Sequence, residues 1–182
     1  MRRLAIACAL VSGPAFADGL EIDVVGAHTA GTITIDLFEE VAPNHVTQIM
    51  ALAEEGFYDN VYFHRVIDGF MAQTGDGQFG NVGGDLRRAG TGGSGRPDVE
   101  AEFSDLPFVR GTVGMARSQS PNSANSQFFI MFAEGEFLNG QYTVVGEVTS
   151  GLEVLDDIKR GDSSTLQVTG EPDHMAAVRV TD

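Results

Sequence analysis

The chain of 182 residues carries 26 acidic residues and 11 Lys or Arg, which gives a formal net charge of −15. This length fits one domain, and the acidic balance argues against a nucleic-acid surface, because phosphate contacts require clusters of Lys and Arg. The acidic residues are spread singly along the chain, which is typical of a solvated surface. After the N-terminal segment, no stretch is long and apolar enough for a membrane span.

Residues 1–17 have the order of a secretory signal peptide. A basic start is followed by an apolar run at 4–11, which is too short to cross a bilayer. A Gly-Pro breaker and the small-x-small sequence Ala-Phe-Ala complete the pattern. We predict cleavage between Ala17 and Asp18, a mature domain over residues 18–182, and a location in the periplasm or outside the cell.

Other interpretations of this segment stay open. It could be an ordinary buried strand or helix. Arg2-Arg3 could direct twin-arginine export, although the general secretory route is favoured because no Ser or Thr precedes the pair. Cys8 could mark a lipoprotein, although residues 5–7 lack the expected leucine. Cleavage would remove this only cysteine, so the mature domain would have no disulfide and would depend on its core.

The rest of the chain alternates short strand patterns with two helical ones. Residues 32–37 alternate polar and apolar side chains, as a half-buried strand does. One helix is predicted to open at Pro43 and to end at Gly56, and a second spans residues 151–160. Many short strands with two helices indicate a β-barrel or sandwich whose openings are covered by helices. The predicted strands are 22–25, 32–38, 62–67, 70–73, 112–116, 127–132, 142–148 and 175–180.

Residues 75–95 are rich in glycine and contain two matches to the G-x-G-x-x-G pattern, at 75–80 and 90–95. A dinucleotide site needs such a loop to open a helix, but no helical pattern follows either match. The histidines show no metal-binding spacing, and no G-x-S-x-G nucleophile motif occurs. We therefore expect no metal and no cofactor, and an enzyme built on this chain must act without covalent chemistry.

Three separated motifs resemble those of the cyclophilins, the peptidyl-prolyl cis–trans isomerases. They are FHRVIDGFMAQTGD at 63–76, MAR at 115–117 followed by PNSANSQFFI at 121–130, and EFLNGQYTVVG at 136–146. The resemblance extends from about residue 20 to the end of the chain. It implies an all-β fold with two helices, a closed eight-stranded antiparallel β-barrel with one helix at each end. It also implies an enzyme that isomerises Xaa-Pro peptide bonds and assists the folding of exported proteins.

Arg65 lies in an apolar, β-branched stretch, where charge and context alone fit equally a catalytic group and a snorkelling arginine on a barrel rim. An Xaa-Pro bond isomerises over a barrier of about 18–20 kcal/mol, because rotation breaks amide resonance. In the twisted transition state the prolyl nitrogen regains a lone pair and becomes an acceptor. A fixed charged donor therefore binds the transition state better than either ground state, and the resemblance implies that Arg65 is this donor.

The resemblance also implies the other site residues. The catalytic residues are Arg65, Phe70 and Gln73, with Gln73 binding a substrate carbonyl and holding Arg65 in place. An apolar pocket would hold the proline ring, although its residues would otherwise be read as core. Ala116 and Arg117 would pair with an extended peptide backbone, and Gly90 would help to shape a neighbouring pocket. The substrate-binding residues are Met71, Gly90, Ala116, Arg117, Gln127, Phe129, Phe137, Leu138 and Tyr142.

The chain departs from the family pattern at several positions. Many members have tryptophan where this chain has Phe137, and histidine where it has Tyr142. Residues 77–89 look like an insertion, which leaves the alignment of Gly90 open. His64 is interpreted as a core histidine with satisfied hydrogen bonds and not as a base. Expected partners are proline-containing exported polypeptides and, weakly, cyclosporin, with a monomer as the default.

Two other classes of function stay open from the sequence. The protein could be a peptide-binding chaperone or scaffold whose turnover is incidental, or a regulatory subunit recruited through its barrel surface. The presence of Arg65, Phe70, Gln73 and Phe129 favours the enzyme, since a pure binder need not retain the donor.

Overall fold

The computed structural model describes residues 19–27, 29–162, 164–165 and 167–181. The predicted signal peptide and its cleavage site lie outside these ranges. The described residues form nine strands, two α-helices and two short 3-10 helices. Their bounds are β1 Gly19–Val25, β2 Ala30–Leu37, α1 Pro43–Glu54, β3 Val61–Tyr62, β4 Arg65–Ile67, β5 Met71–Thr74, a 3-10 helix Leu86–Arg88, β6 Thr112–Met115, β7 Phe128–Met131, a 3-10 helix Glu136–Leu138, β8 Val144–Ser150, α2 Leu152–Asp157 and β9 His174–Thr181.

The strands form one antiparallel sheet in the order β3-β9-β1-β2-β8-β6-β7-β5-β4. The prediction of a closed eight-stranded barrel was therefore wrong. The sheet is an open, curled half-barrel of nine strands, and within the described residues no ladder joins β3 to β4. The predicted strand 62–67 breaks at Phe63 and His64, because its first part pairs with β9 and its last part pairs with β5. The two edge strands of the sheet, β3 and β4, thus come from one continuous segment of the chain.

The inner face of the curled sheet holds the main core. Alternation along β1 and β2 turns Ile22 and Ile33 inward, and both are fully buried. Helix α1 adds Ile49 to the same cluster, and the shorter α2 adds Leu155. Each such side chain contributes about 1.5–3 kcal/mol when it is removed from water. A core of this kind holds the fold without a disulfide in the described residues.

Helix α1 begins as the sequence predicts, with Pro43 in the first turn. Its N-terminus is completed by Glu102, whose carboxylate accepts hydrogen bonds from the backbone N–H groups of Asn44 and His45 at 3.2 and 3.1 Å. Beyond the helix end, Gly56 has φ +69°, which is the left-handed conformation that glycine supplies at helix C-termini. Glu102 lies 58 residues away from Asn44 in sequence, so a local pattern could not reveal this cap.

Helix α2 covers only residues 152–157, shorter than the predicted 151–160. Gly151 precedes it with φ +89°, and a Cβ at this position would overlap the carbonyl oxygen of Thr32. The predicted helix therefore starts one residue later, after a turn that requires glycine. Among the described residues, none of the helices combines the length and apolar character that a membrane crossing requires.

Candidate active site

The hairpin of β4 and β5 sets the position of Arg65. Arg65 pairs with Gln73 across this hairpin, and Gln73 pairs with Phe129 on β7. Residues that are directly opposite on neighbouring strands point to the same face, so the three side chains form a row across the outer face of the sheet. The connecting turn uses Gly69 with φ +67°, which confirms the predicted turn at Asp68-Gly69.

A chain of side-chain hydrogen bonds begins at Arg65. Its Nη1 donates to Oε1 of Gln73 at 3.3 Å, and Nε2 of Gln73 donates to Oε1 of Gln127 at 2.9 Å. Nε2 of Gln127 then donates to the carbonyl oxygen of Gly92 at 2.8 Å. The chain fixes the orientation of both glutamines and holds one edge of the guanidinium. The expected contact between Gln73 and Arg65 is present in the structure.

Arg65 is half-buried, and this burial lowers the pKa of its guanidinium from the ordinary value of 12.5, partly offset by Tyr142. The group nevertheless stays charged in proteins. No carboxylate forms an ion pair with Arg65 in the part of the chain that the structure describes. Apart from the one N–H that donates to Gln73, the guanidinium makes no hydrogen bond to the described residues.

A small pocket of about 100 Å³, lined mainly by apolar side chains together with Gln73 and Arg117, lies beside this row. Its floor is Phe129, which is 5% exposed. The Phe129 ring stacks on Phe108 at a centroid distance of 5.7 Å and meets Tyr142 edge-on at 5.8 Å. A Cβ at Gly114 would lie 2.7 Å from the Phe129 ring, so this glycine leaves room for the stack. The lining residues are Phe70, Met71, Gln73, Ala116, Arg117, Phe129, Leu138 and Tyr142.

A larger pocket of about 390 Å³ lies next to the first. The two pockets share Gln73, Ala116 and Arg117 in their walls, so together they form one groove. The larger pocket is lined by Gln73, Gly90, Thr91, Gly92, Gly93, Asp98, Ala116, Arg117, Ser118, Ser123, Asn125 and Gln127. The structure thus brings Gly90, Ala116 and Gln127 together, in the grouping expected from the sequence, despite the residues between 77 and 89.

One backbone group that was predicted to pair with a peptide is occupied in the structure, and the predicted pairing of the Arg117 backbone stays a prediction. The backbone N–H of Ala116 donates to the carbonyl oxygen of Gln127 at 2.9 Å, so this N–H group does not pair with a peptide. The guanidinium of Arg117 donates to the carbonyl oxygens of Ser118 and Gln141 at 2.9 and 3.0 Å and lies over the Tyr142 ring. Arg117 therefore braces the wall of the groove.

Phe137 is not part of either pocket lining. It is 65% exposed and its ring lies 5.4 Å from that of Phe70, so it stands on the rim of the small pocket. A tryptophan at this position would offer a larger ring and an indole N–H to a bound ligand, whereas phenylalanine offers apolar surface alone.

His64 lies under the larger pocket. Burial lowers the pKa of His64 from 6.5 to about 4, so the ring is neutral near pH 7. Neither ring nitrogen has a hydrogen-bond partner among the described residues, and the expectation of a satisfied histidine was wrong in that respect. A Cβ at Gly90 would lie 3.2 Å from His64 Nε2, so the glycine allows the loop to rest on the imidazole.

Sequence patterns did not predict several residues of the site. Phe108 backs the small pocket from an irregular segment without a strand pattern, and it is fully buried. Asn125 joins the wall of the larger pocket by accepting hydrogen bonds from Ser94 N–H and Oγ, both at 2.7 Å. Asp76 is the last residue of the first motif, and no sequence pattern indicates its place under the glycine-rich loop. The described residues contain no group of three or more His, Cys, Asp or Glu side chains that could hold a metal ion.

The fold and site together define a mostly-β protein with a groove, a small pocket lined mainly by apolar side chains and a charged hydrogen-bond donor beside it. The chain belongs to the cyclophilin-type peptidyl-prolyl cis–trans isomerase family. The model of this family, described as "Cyclophilin type peptidyl-prolyl cis-trans isomerase/CLD", matches residues 22–180. Members of this family are isomerases, and several relatives of this chain carry the enzyme's name.

The similarity extends to curated relatives and to solved structures. A probable peptidyl-prolyl cis–trans isomerase of Brucella suis is 61% identical over 145 residues, which cover 79% of this chain and 74% of the relative. Peptidyl-prolyl cis–trans isomerase B of Escherichia coli is 39% identical over 138 residues, covering 71% and 79%. A crystal structure of a Cryptosporidium parvum cyclophilin-type isomerase in the presence of the dipeptide Ala-Pro superimposes with a TM-score of 0.74 at 27% identity, covering 90% and 99%.

Proposed function

We propose that this isomerase acts on Xaa-Pro bonds of exported polypeptides, and that Arg65 lowers the barrier by donating a hydrogen bond to the twisted prolyl nitrogen. The observation that carries the proposal is a charged donor without an ion-pair partner among the described residues, held by Gln73 beside an apolar pocket. Rotation about the C–N bond forms and breaks no covalent bond, so this donor and a shaped pocket suffice for catalysis.

The pocket of about 100 Å³ would hold the proline ring against Phe129, Met71 and Leu138. Such a fit keeps the ring still while the carbonyl side of the bond rotates. Gln73 holds Arg65 through Oε1 and uses one of its two amide N–H bonds on Gln127. The second amide N–H is then available to a substrate carbonyl. Residues before the proline would extend into the larger pocket.

Preorganisation explains why a single donor could lower the barrier substantially. The guanidinium is already partly removed from water and already oriented, so little reorganisation is needed when the prolyl nitrogen becomes an acceptor. The nitrogen of a planar amide offers no such acceptor, so the contact strengthens only in the transition state and raises kcat more than it lowers KM.

Substitution of Arg65 tests the mechanism. A hydrogen bond from a charged group contributes roughly 1.5–3 kcal/mol, so Arg65→Ala should lower kcat/KM by about 10- to 100-fold. Arg65→Lys keeps the charge without the planar fork and should rescue the activity only in part. Arg179→Ala is the matched control, because Arg179 is an exposed arginine on β9 that donates to Asp23. This variant should have the kcat/KM of the parent protein. A folded Arg65→Ala protein with parental turnover would refute the mechanism.

The proposed location outside the cytoplasm is supported by the signal-peptide pattern at residues 1–17. Native protein should begin at Asp18 and fractionate with the periplasm or the medium, and it should run as a monomer in gel filtration. N-terminal sequencing that found Met1 or Arg2 on protein from the cytosolic fraction would contradict export without affecting the assignment of Arg65.

A further inference from the structure

The carboxylate of Asp76 lies beneath the glycine-rich loop and is fully buried. Its Oδ1 accepts the backbone N–H groups of Gln78 and Phe79 at 3.1 and 2.9 Å. Its Oδ2 accepts those of Gly90 and Gly92 at 2.7 and 3.0 Å. The carboxylate of Asp76 therefore connects the two ends of the loop formed by residues 77–89 through these four hydrogen bonds. Hydrogen bonds to a charged acceptor are stronger than those between neutral groups.

The loop is shaped to approach this carboxylate closely. A Cβ at Gly92 would overlap Oδ1 of Asp76, and Gly90 has φ +89°. Both positions therefore need glycine, one for space and one for backbone conformation. The close approach fixes the peptide units on either side of Gly92, including its carbonyl group.

That carbonyl group is the last acceptor of the hydrogen-bond chain that starts at Arg65. Gln127 donates to it at 2.8 Å, Gln73 donates to Gln127, and Arg65 donates to Gln73. An amide side chain is oriented by the groups at both of its ends, so a fixed acceptor at Gly92 selects the orientation of Gln127. Through the same reasoning, Gln127 then selects the orientation of Gln73.

We propose that Asp76 is a positioning residue for Arg65, acting through Gly92, Gln127 and Gln73. This role rests on the proposed function of Arg65 as the catalytic donor. It also couples the two pockets, because the chain that orients Arg65 passes through the wall of the larger pocket, which is formed in part by Gly92 and Gln127. A peptide residue that displaced this wall would change the orientation of Arg65, which lies beside the small pocket and contacts its wall through Gln73.

Asp76→Asn is the primary variant. The amide keeps one acceptor oxygen but presents an NH₂ group to two backbone N–H groups, either those of Gly90 and Gly92 or those of Gln78 and Phe79. We expect kcat/KM to fall by about 10- to 100-fold, the range that follows from a small misplacement of a catalytic group. Asp173→Asn is the matched control, because Asp173 is also buried and accepts a backbone N–H, that of Lys159 at 2.8 Å, outside the groove.

A double-mutant cycle with Gln127→Ala separates positioning from a general structural role. Gln127→Ala interrupts the path to Arg65, so adding Asp76→Asn should cost much less in this background than in the parent. A purely structural role predicts equal costs in both backgrounds. Equal costs would therefore overturn the proposal. If Asp76→Asn fails to fold, Gly92→Ala perturbs the same anchor, because its Cβ would overlap the intact Asp76 carboxylate, and the same cycle applies.

A readout without turnover keeps this proposal distinct from the proposed function. In NMR spectra of the free protein, Asp76→Asn should shift the side-chain amide signals of Gln127 and Gln73 and the Nε–Hε signal of Arg65, and Asp173→Asn should leave them in place. Unchanged signals in a folded Asp76→Asn protein would refute the positioning role. A parent protein without isomerase activity, by contrast, would refute the proposed function and leave the hydrogen-bond coupling measurable.

Discussion

His64 makes the stability of the fold depend on pH in a way that can be calculated. Burial lowers its folded pKa from 6.5 to about 4, so between these values the unfolded chain binds the proton and the folded chain does not. Stability therefore falls as pH decreases through this window. Lowering the pKa from 6.5 to about 4 corresponds to roughly 3.4 kcal/mol of stability, of which about 2 kcal/mol should be lost between pH 7.5 and 5.

Measurements above pH 5 avoid the titration of carboxylates whose pKa is lowered in the folded protein, such as Glu102. Urea unfolding followed by circular dichroism suits the measurement, because the chain has no tryptophan. His64→Phe keeps a flat ring without a titratable proton and should flatten the pH dependence, whatever its own stability. His174→Gln, on β9 next to Tyr62, is a second histidine variant to be measured beside it. Equal slopes for the parent and His64→Phe would refute the reasoning.

Three further predictions concern the rim, the helix cap and a turn. Phe137→Trp should strengthen inhibition by cyclosporin by roughly 10- to 100-fold, because it adds an indole donor and apolar contact area; an unchanged titration beside the parent would show that this position does not control the ligand. Glu102→Ala should lower the free energy of unfolding by about 1–3 kcal/mol in chemical denaturation, because the N–H groups of Asn44 and His45 lose their acceptor; a stability equal to that of the parent would contradict the cap. Gly151→Ala should lower the melting temperature clearly, because its Cβ would overlap the carbonyl oxygen of Thr32 and its φ is +89°. Gly140→Ala is the control and should lower the melting temperature less, because a Cβ there has open space, at a similar φ of +66°.

Local patterns predicted most of the elements, whereas the residues of the groove were predicted from the resemblance of three motifs to those of the cyclophilins. Arg65, Gln73 and Phe129 come together because each lies at a fixed register on neighbouring strands, and the motifs locate those strands. The small pocket follows, since Met71 and Leu138 fall within the same motifs and line it in the structure.

The features that sequence patterns missed depend on partners far away in the chain. The segment 62–67 has a strand pattern throughout, but it changes partner from β9 to β5 and breaks at Phe63 and His64. Phe108 has no periodic neighbours in the sequence, and its position depends on distant partners such as Phe129, on which its ring stacks. Asp76 looks like an ordinary turn residue until the loop returns 14 residues later and places Gly90 N–H on its carboxylate.

The central claim is that Arg65 acts on the transition state, and NMR exchange spectroscopy on a short Xaa-Pro peptide tests it most directly. The same sample gives the peptide Kd and the rate of cis–trans interconversion on the enzyme. If Arg65 meets the prolyl nitrogen only when the bond is twisted, Arg65→Ala should leave Kd within about twofold and slow the interconversion by at least about tenfold. A rate that fell only in proportion to weakened binding, or that did not fall, would contradict the account.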